Sequence, residues 1–180
     1  MKKNVLVFGL IAGAIVSFVM VWHMATGIDT GNWDNAMLIG YASMIIAFSF
    51  VFIGIKNYRD KYNGGVITFG KAFMTGLWIT LIASTMYVVT WMFYYHFFVP
   101  DFMEKYSAHI IEEAKASGAT AAKIDEQMAE MEGYKELYKN PLFVFLFTYL
   151  EILPVGLLIT LISSFILKRK QKNPLDVSAV

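Results

Sequence analysis

The chain contains no cysteine, and this absence excludes several kinds of site. Without thiols it has no disulfide within the chain, no thiolate metal site and no cysteine nucleophile. Charged residues are also scarce, at 16% of the sequence, whereas a typical soluble domain has about 25%. The net charge is only +1, so the composition gives no indication of nucleic-acid binding. Hydrophobic residues dominate instead, at 57% of the 180 positions.

Most of these hydrophobic residues fall into four long apolar runs. The runs cover about 5–26, 36–55, 73–99 and 141–167. Each has about 20 residues or more, enough for a helix to cross a hydrocarbon core about 30 Å thick. Because only helices and closed barrels satisfy their backbone hydrogen bonds inside lipid, the runs predict an all-α, polytopic membrane protein. We expect one membrane domain over 1–180 with four transmembrane helices.

The first run follows two lysines, Lys2 and Lys3, as a signal peptide would. It is longer than the usual signal-peptide core, and no clean cleavage site with small residues follows it. We therefore expect it to be a retained transmembrane helix.

Basic residues are concentrated in segments that four spans would place on one side of the membrane. Ten of the 15 Lys and Arg residues follow this pattern: Lys2, Lys3, Lys56, Arg59, Lys61, Lys71, Lys168, Arg169, Lys170 and Lys172. The connection at 27–35 contains Asp29 and Asp34 and no basic residue, and the connection at 100–140 has nine acidic residues against five lysines. Since cytoplasmic loops carry the excess of positive charge, we expect both termini in the cytoplasm, including a cytoplasmic tail at 168–180. The last residues, 173–180, are expected to be disordered.

The 100–140 insertion is therefore expected outside the cytoplasm, as a hairpin of two amphipathic helices. Asp101 with Glu104 has the spacing of a capping box, and Gly118 interrupts the helical pattern. Asn140-Pro141 is typical of a cap followed by a first-turn proline, opening the last span. The apolar stripes of the two helices pack on each other or on the membrane surface, or else they dock a partner protein.

Glu151 is the most unusual residue because it lies about ten positions into the fourth run, or about 15 Å along a helix axis. An ionisable group near the bilayer centre is unfavourable by several kcal/mol unless it is paired, neutral or hydrated. Pro154, three residues later, removes a backbone hydrogen bond to Leu150. We hypothesise an intramembrane polar site of Glu151, Pro154, Thr80 and Ser84. It has either a structural role, in which Glu151 is protonated or hydrogen-bonded and fixes helix packing, or a proton- or cation-handling role. The candidate hydroxyl partners are Thr75, Thr80, Ser84, Thr85 and Tyr41.

Three further patterns have less specific interpretations. Gly9, Gly13 and Ser17 form a small-residue series that brings two helices close, either inside the bundle or across a homodimer. The aromatic residues of 91–98 predict a belt at the membrane surface, with a cofactor or lipid cleft as the alternative. Histidines and methionines at the outer span ends resemble a soft-metal site, but interfacial packing explains them better, so we expect no metal and no cofactor.

A resemblance covers essentially the whole chain. The segment 65–73 followed by Gly76, the aromatic run, and Pro100-Asp101-Phe102 with Tyr106 resembles a bacterial membrane-protein family designated domain of unknown function 4199. The resemblance implies four spans with a helical insertion between the last two, in the inner (cell) membrane of a bacterium. It implies no activity, substrate or catalytic residue.

No catalytic constellation appears in the sequence, so we do not expect an enzyme. The first hypothesis is a structural or accessory component of a membrane assembly, acting through helix packing and the external hairpin. The alternative is a small oligomeric transporter or channel subunit that uses Glu151. Both imply the lipid bilayer as a partner, and a second copy of the chain or another membrane protein.

Overall fold

The computed structural model describes residues 1–27, 33 and 35–169. These residues form six helices: α1 (Lys2–Gly27), α2 (Ala36–Tyr62), α3 (Phe69–Phe97), α4 (Phe102–Ala116), α5 (Ala121–Tyr138) and α6 (Pro141–Leu167). The all-α fold class is thereby confirmed. Four of the helices, α1, α2, α3 and α6, are long and apolar enough to cross a membrane, as in a multi-pass membrane protein. Asp29, Asp34, Lys170, Lys172 and the tail at 173–180 lie outside the described residues.

The four long helices form a bundle in which α2 and α3 are central. Each of these two contacts the other and also contacts both α1 and α6. The helices α1 and α6 therefore lie on opposite sides of the α2–α3 pair. The shorter helices α4 and α5 pack against each other, and α5 also contacts α6. The location of α4 and α5 outside the cytoplasm stays a prediction.

Small residues allow the bundle helices to approach closely, as in other membrane proteins. A Cβ atom on Gly9 would lie 2.8 Å from Ile82, and one on Gly13 would lie 2.9 Å from the Cβ of Met86. Both glycines therefore face α3, and Ser17 on the same helix is buried. The structure thus places this series inside the bundle.

A second close approach was not apparent from the sequence. Gly156 of α6 faces α3 and α2, where a Cβ atom would lie 2.5 Å from Thr80 Cγ2 and 2.7 Å from Phe48 Cζ. Beside it, the hydroxyls of Thr80 and Thr160 form a 2.8 Å hydrogen bond in a completely buried position. Phe48, Ile79 and Ile152 are completely buried as well. Tightly packed side chains therefore fill the middle of the bundle.

The helix boundaries follow local sequence signals in most places. Asn140 accepts a hydrogen bond from the backbone N–H of Leu142 at 3.0 Å, so the predicted cap of α6 is confirmed. The connection before α3 turns at Gly64 and Gly65, which adopt φ values of 64° and 78° that favour glycine. Gly118 after α4 has a φ of 78°, as expected of a helix-ending glycine.

The predicted capping box at α4 is wrong. Asp101 precedes the helix, but its side chain makes no capping hydrogen bond. Its backbone angles of −91° and 14° are not the extended ones that aim a cap side chain at the first turn. The Asp101 carboxylate instead lies 3.0 Å from the ammonium of Lys105.

Polar contacts hold together the end of the bundle where the basic residues lie. The Asn4 side chain donates to the carbonyl of Gly54 at 2.9 Å, which joins the start of α1 to α2. Ile67 and Arg169 form an antiparallel bridge, in which Arg169 donates its backbone N–H to the Ile67 carbonyl at 2.8 Å. The start of α1, the α2–α3 connection and the end of α6 therefore share one end, which we call the basic end.

We predict that Gly156→Ala lowers the free energy of unfolding by about 1–3 kcal/mol, because the added methyl group overlaps Thr80 and Phe48. Equilibrium unfolding in detergent, followed by circular dichroism, measures the change. Gly70→Ala in α3 is the matched control because its Cβ would meet nothing within 4 Å. This control should be neutral or stabilising by about 0.4–1 kcal/mol, and equal effects of the two variants would contradict the packing described here.

Candidate functional site

A cavity of about 520 Å³ lies between the bundle and the α4–α5 pair. All six helices contribute to its wall, together with Trp33 from the connection between α1 and α2. We call it the aromatic chamber, after the rings that make up much of its wall: Trp33, Tyr87, Trp91, Phe102, Tyr106 and Tyr138. A volume of this size is typical of small-molecule sites.

The rings around the chamber contact one another across several helices. Phe102 of α4 lies edge-on to Trp91 of α3 with ring centres 5.0 Å apart, and Trp33 lies 5.8 Å from Tyr106. On the other side, Tyr138 of α5 stacks on Phe147 of α6 at 6.1 Å. Such aromatic pairs stabilise by about 0.5–1.5 kcal/mol each beyond their buried area. The α4–α5 pair is thus attached to the bundle by a network of rings.

The predicted aromatic belt at 91–98 divides into two parts in the structure. Trp91 lines the chamber and is buried, whereas Phe93, Phe97 and Phe98 are exposed as belt residues would be. Helical geometry explains the division for Phe93 and Phe97, which lie about 200–240° around α3 from Trp91. Phe98 instead follows the last residue of the helix.

Methionines supply much of the remaining wall. Five of the 11 methionines line the chamber: Met20, Met24, Met37, Met103 and Met131. Their side chains are flexible and polarisable, so they fit irregular apolar shapes. Within the described part of the chain, no three histidine or acidic side chains gather where a metal ion could bind. His109 instead stacks on Trp33 with ring centres 5.4 Å apart.

Glu151 of α6 lies in the wall of the chamber as an exposed side chain. No hydrogen bond or ion pair joins it to another of the residues that the structure describes. The neighbouring hydroxyl of Thr148 donates to the Val144 carbonyl at 2.7 Å and is occupied there. Thr85 pairs with Tyr149 at 2.6 Å instead. Among the described residues, Glu151 therefore has no hydroxyl hydrogen-bond partner of the kind that its hypothesised structural role would need.

The other predicted site residues lie away from the chamber wall. Thr80 hydrogen bonds to Thr160 in the packed core, and Ser84 is buried there without a hydrogen-bond partner among the described residues. Pro154 is exposed on α6. Of the four residues, Glu151 is thus the one that the structure places in the chamber.

The charge of Glu151 influences the tyrosines of α4 and α5. Burial, and then the Glu151 charge, raises the pKa of Tyr138 to about 12. Burial also raises the pKa of Tyr106, followed by the charges of Glu113 and Glu151. Both phenols therefore stay neutral around pH 7. Glu151 is the one charged side chain among the described residues that line the chamber.

Sequence reasoning did not identify the residues of α3 and α5 that complete the chamber. Tyr87 lies inside an apolar run, and Tyr138 and Met131 lie on the apolar stripe of α5, which was interpreted as packing or as partner docking. The apolar stripe of α4, which includes Phe102 and Tyr106, was the one sequence feature that pointed to this region. A stripe of this kind predicts a buried helix face, but it does not show whether that face covers a cavity.

We predict that Phe102→Ala loosens the α4–α5 pair, because this ring contacts Trp33, Trp91 and Tyr106. The loss of a large aromatic side chain should destabilise the attachment by about 3 kcal/mol. Hydrogen exchange read by mass spectrometry should show faster exchange in α4 while the middle of α3 stays protected. The exposed Phe97→Ala is the control, and faster exchange of α4 in both variants would argue against the ring network.

No curated protein and no solved structure matches the chain. One family model, described as a protein of unknown function, DUF4199, matches residues 7–169. That match covers α2 to α6 and all but the first five residues of α1. The chain therefore belongs to the DUF4199 family.

Proposed function

We propose that this membrane protein is a solute-binding subunit of a membrane assembly and that it holds a small hydrophobic solute in the aromatic chamber. The observation that carries the proposal is the carboxylate of Glu151, which has no hydrogen-bond or ion-pair partner among the described residues and lies in the wall of a cavity of about 520 Å³. Largely apolar walls with a few polar groups are the usual composition of small-molecule sites. The proposal includes no catalysed reaction.

A purely structural role for Glu151 accounts less well for this arrangement. An ionised carboxylate that fixes helix packing needs a hydrogen-bond or ion-pair partner on a neighbouring helix, because an unpaired charge is unfavourable by several kcal/mol in the membrane. The hydroxyls of Thr148 and Thr85 form hydrogen bonds elsewhere, and no hydrogen bond joins a described tyrosine of the chamber wall to Glu151. A bound solute would supply the missing partner.

The packed middle of the bundle supports a subunit and argues against a complete channel. Phe48, Ile79 and Ile152 are completely buried between the chamber and the basic end. Passage of a solute across the membrane therefore needs a rearrangement or a second protein. Most of α5 stays uncovered, since Met131 is its one buried residue. We propose that the side of α5 that carries the exposed Met128, away from Glu130 and Gly133 around the helix, contacts another membrane protein or a second copy of the chain.

The distribution of charge supports an orientation for this subunit. Lysine and arginine gather at the basic end, and the chamber lies at the opposite end. Because cytoplasmic ends carry the positive excess, we propose that both termini face the cytoplasm and that α4 and α5 lie outside it. The bilayer is then the inner membrane of a bacterium, as the four-span family resemblance implies.

Single cysteine variants test this orientation directly, because the chain has no cysteine of its own. Lys61 at the basic end and Glu130 on α5 are both exposed. A membrane-impermeant maleimide should label Glu130→Cys on intact cells and label Lys61→Cys only after the membrane is opened. The reverse pattern would invert the proposed orientation.

Solutes that copurify with the protein test the binding function. We predict that extraction of the purified protein releases one small molecule in an amount close to one mole per mole of protein. Gly40→Phe should abolish this copurification because the added ring fills the chamber. Gly40 lines the chamber, and its Cβ would meet nothing within 4 Å. The control is Gly133→Phe on α5, where space is also open. Identical extracts from the two variants would contradict the proposal.

Glu151→Gln should keep the fold and reduce the copurified solute at least tenfold, since the amide has the same shape without the charge. If a flux of that solute into liposomes is found, the same variant should abolish it. Glu130→Gln on the exposed face of α5 is the matched control. An unchanged solute content and flux in Glu151→Gln would show that the carboxylate takes no part.

A further inference from the structure

We infer that the aromatic chamber selects a hydrophobic organic cation, with Glu151 as the counter-ion and the surrounding rings as the binding surface. The inference rests on the proposed solute-binding function and names its substrate class. It depends on three features of the chamber: the sign of its charge, the chemistry of its rings and the kind of oxygen atoms in its wall.

The charge of the chamber favours a cation. Glu151 is the one charged side chain among its described lining residues, and that wall includes no lysine, arginine or histidine. An anionic solute would meet a like charge at low dielectric, where Coulomb interactions are strong. A neutral solute would leave the carboxylate without an opposite charge. A monovalent cation would compensate it.

The rings favour a cation with apolar substituents. The faces of Trp, Tyr and Phe rings attract ammonium-type cations within about 6 Å, and aromatic cages of this kind bind quaternary ammonium groups. Trp33 and Tyr106 lie 5.8 Å apart, and Trp91 and Phe102 lie 5.0 Å apart, so neighbouring rings of α3, α4 and the α1–α2 connection share one wall. A cation against this wall would contact more than one π-system.

The kind of oxygen atoms in the wall argues against a divalent inorganic cation. Calcium takes six to eight oxygen ligands, chiefly carboxylates, carbonyls and waters, and magnesium demands an octahedral set. The described chamber wall offers one carboxylate, that of Glu151, and its other side-chain oxygens are the neutral hydroxyls of Thr148 and five tyrosines. Methionines fill much of the rest and adapt to different apolar shapes. The chamber therefore suits organic cations of more than one shape.

Tetraphenylphosphonium and tetraphenylborate test the inference, because the two ions have nearly the same shape and opposite charges. Triphenylphosphine oxide is the neutral probe. Each is titrated into the full chain in nanodiscs of uncharged lipid, so that surface potential does not concentrate either ion. Binding is read from the fluorescence of Trp33 and Trp91, after Trp22→Phe and Trp78→Phe remove the two tryptophans outside the chamber.

We expect tetraphenylphosphonium to bind at least tenfold more tightly than the other two probes. Glu151→Gln should weaken its binding at least tenfold and leave tetraphenylborate no weaker than before. Glu130→Gln, which changes an exposed carboxylate on α5, should leave all three affinities unchanged. Hydrogen exchange on each variant confirms that the fold is retained.

Equal affinities for the three probes in the starting protein, or unchanged tetraphenylphosphonium binding in Glu151→Gln, would overturn the cation inference. Gly40→Phe separates that failure from failure of the proposed function. If it abolishes binding of all probes while charge has no effect, the chamber binds solutes without selecting cations. If probe binding is the same in Gly40→Phe and Gly133→Phe, the chamber is not the site and both proposals fall.

Discussion

The absence of water in the bilayer core is the constraint on which the rest of this structure depends. Backbone groups there must be satisfied within each helix, so the four apolar runs form helices before any tertiary contact is considered. Association of these helices then requires close packing, since lipid competes equally well for apolar surface. Gly9, Gly13 and Gly156 meet this requirement by bringing α1 and α6 against α3.

The same constraint gives Glu151 its importance. A carboxylate inside a membrane domain is expensive, and the protein places it in a chamber without pairing it to a described residue. The tightly packed centre of the bundle, where Thr80 is hydrogen-bonded to Thr160, lies on one side of this chamber. The ring network on the other side holds α4 and α5 over it. The chamber therefore lies between a tightly packed bundle and the α4–α5 pair, which contacts the bundle chiefly through aromatic rings.

Much of the fold follows from local patterns in the sequence. The fourth predicted run, at 141–167, coincides with α6, and its start was indicated by the Asn140-Pro141 cap. The second run was expected to end at about 55, but α2 continues to Tyr62 because its last two turns are polar yet still helical. The Asp101 cap failed because residue type cannot fix the backbone angles that aim the side chain. The hydrogen bond from the Asn4 side chain to the Gly54 carbonyl was not predicted either, because the two residues are 50 positions apart in the sequence and no local pattern links them.

The sequence by itself determined the class of the protein, the number of long helices and the unusual position of Glu151. Length and hydropathy are enough for that, because the bilayer acts on each helix separately. Only the tertiary structure decided that Glu151 faces a chamber while Thr80 and Ser84 stay in the core. The chamber combines residues from six helices, among them Met20, Tyr87 and Tyr138. Their proximity depends on helix rotation and packing between distant segments, which no local pattern specifies.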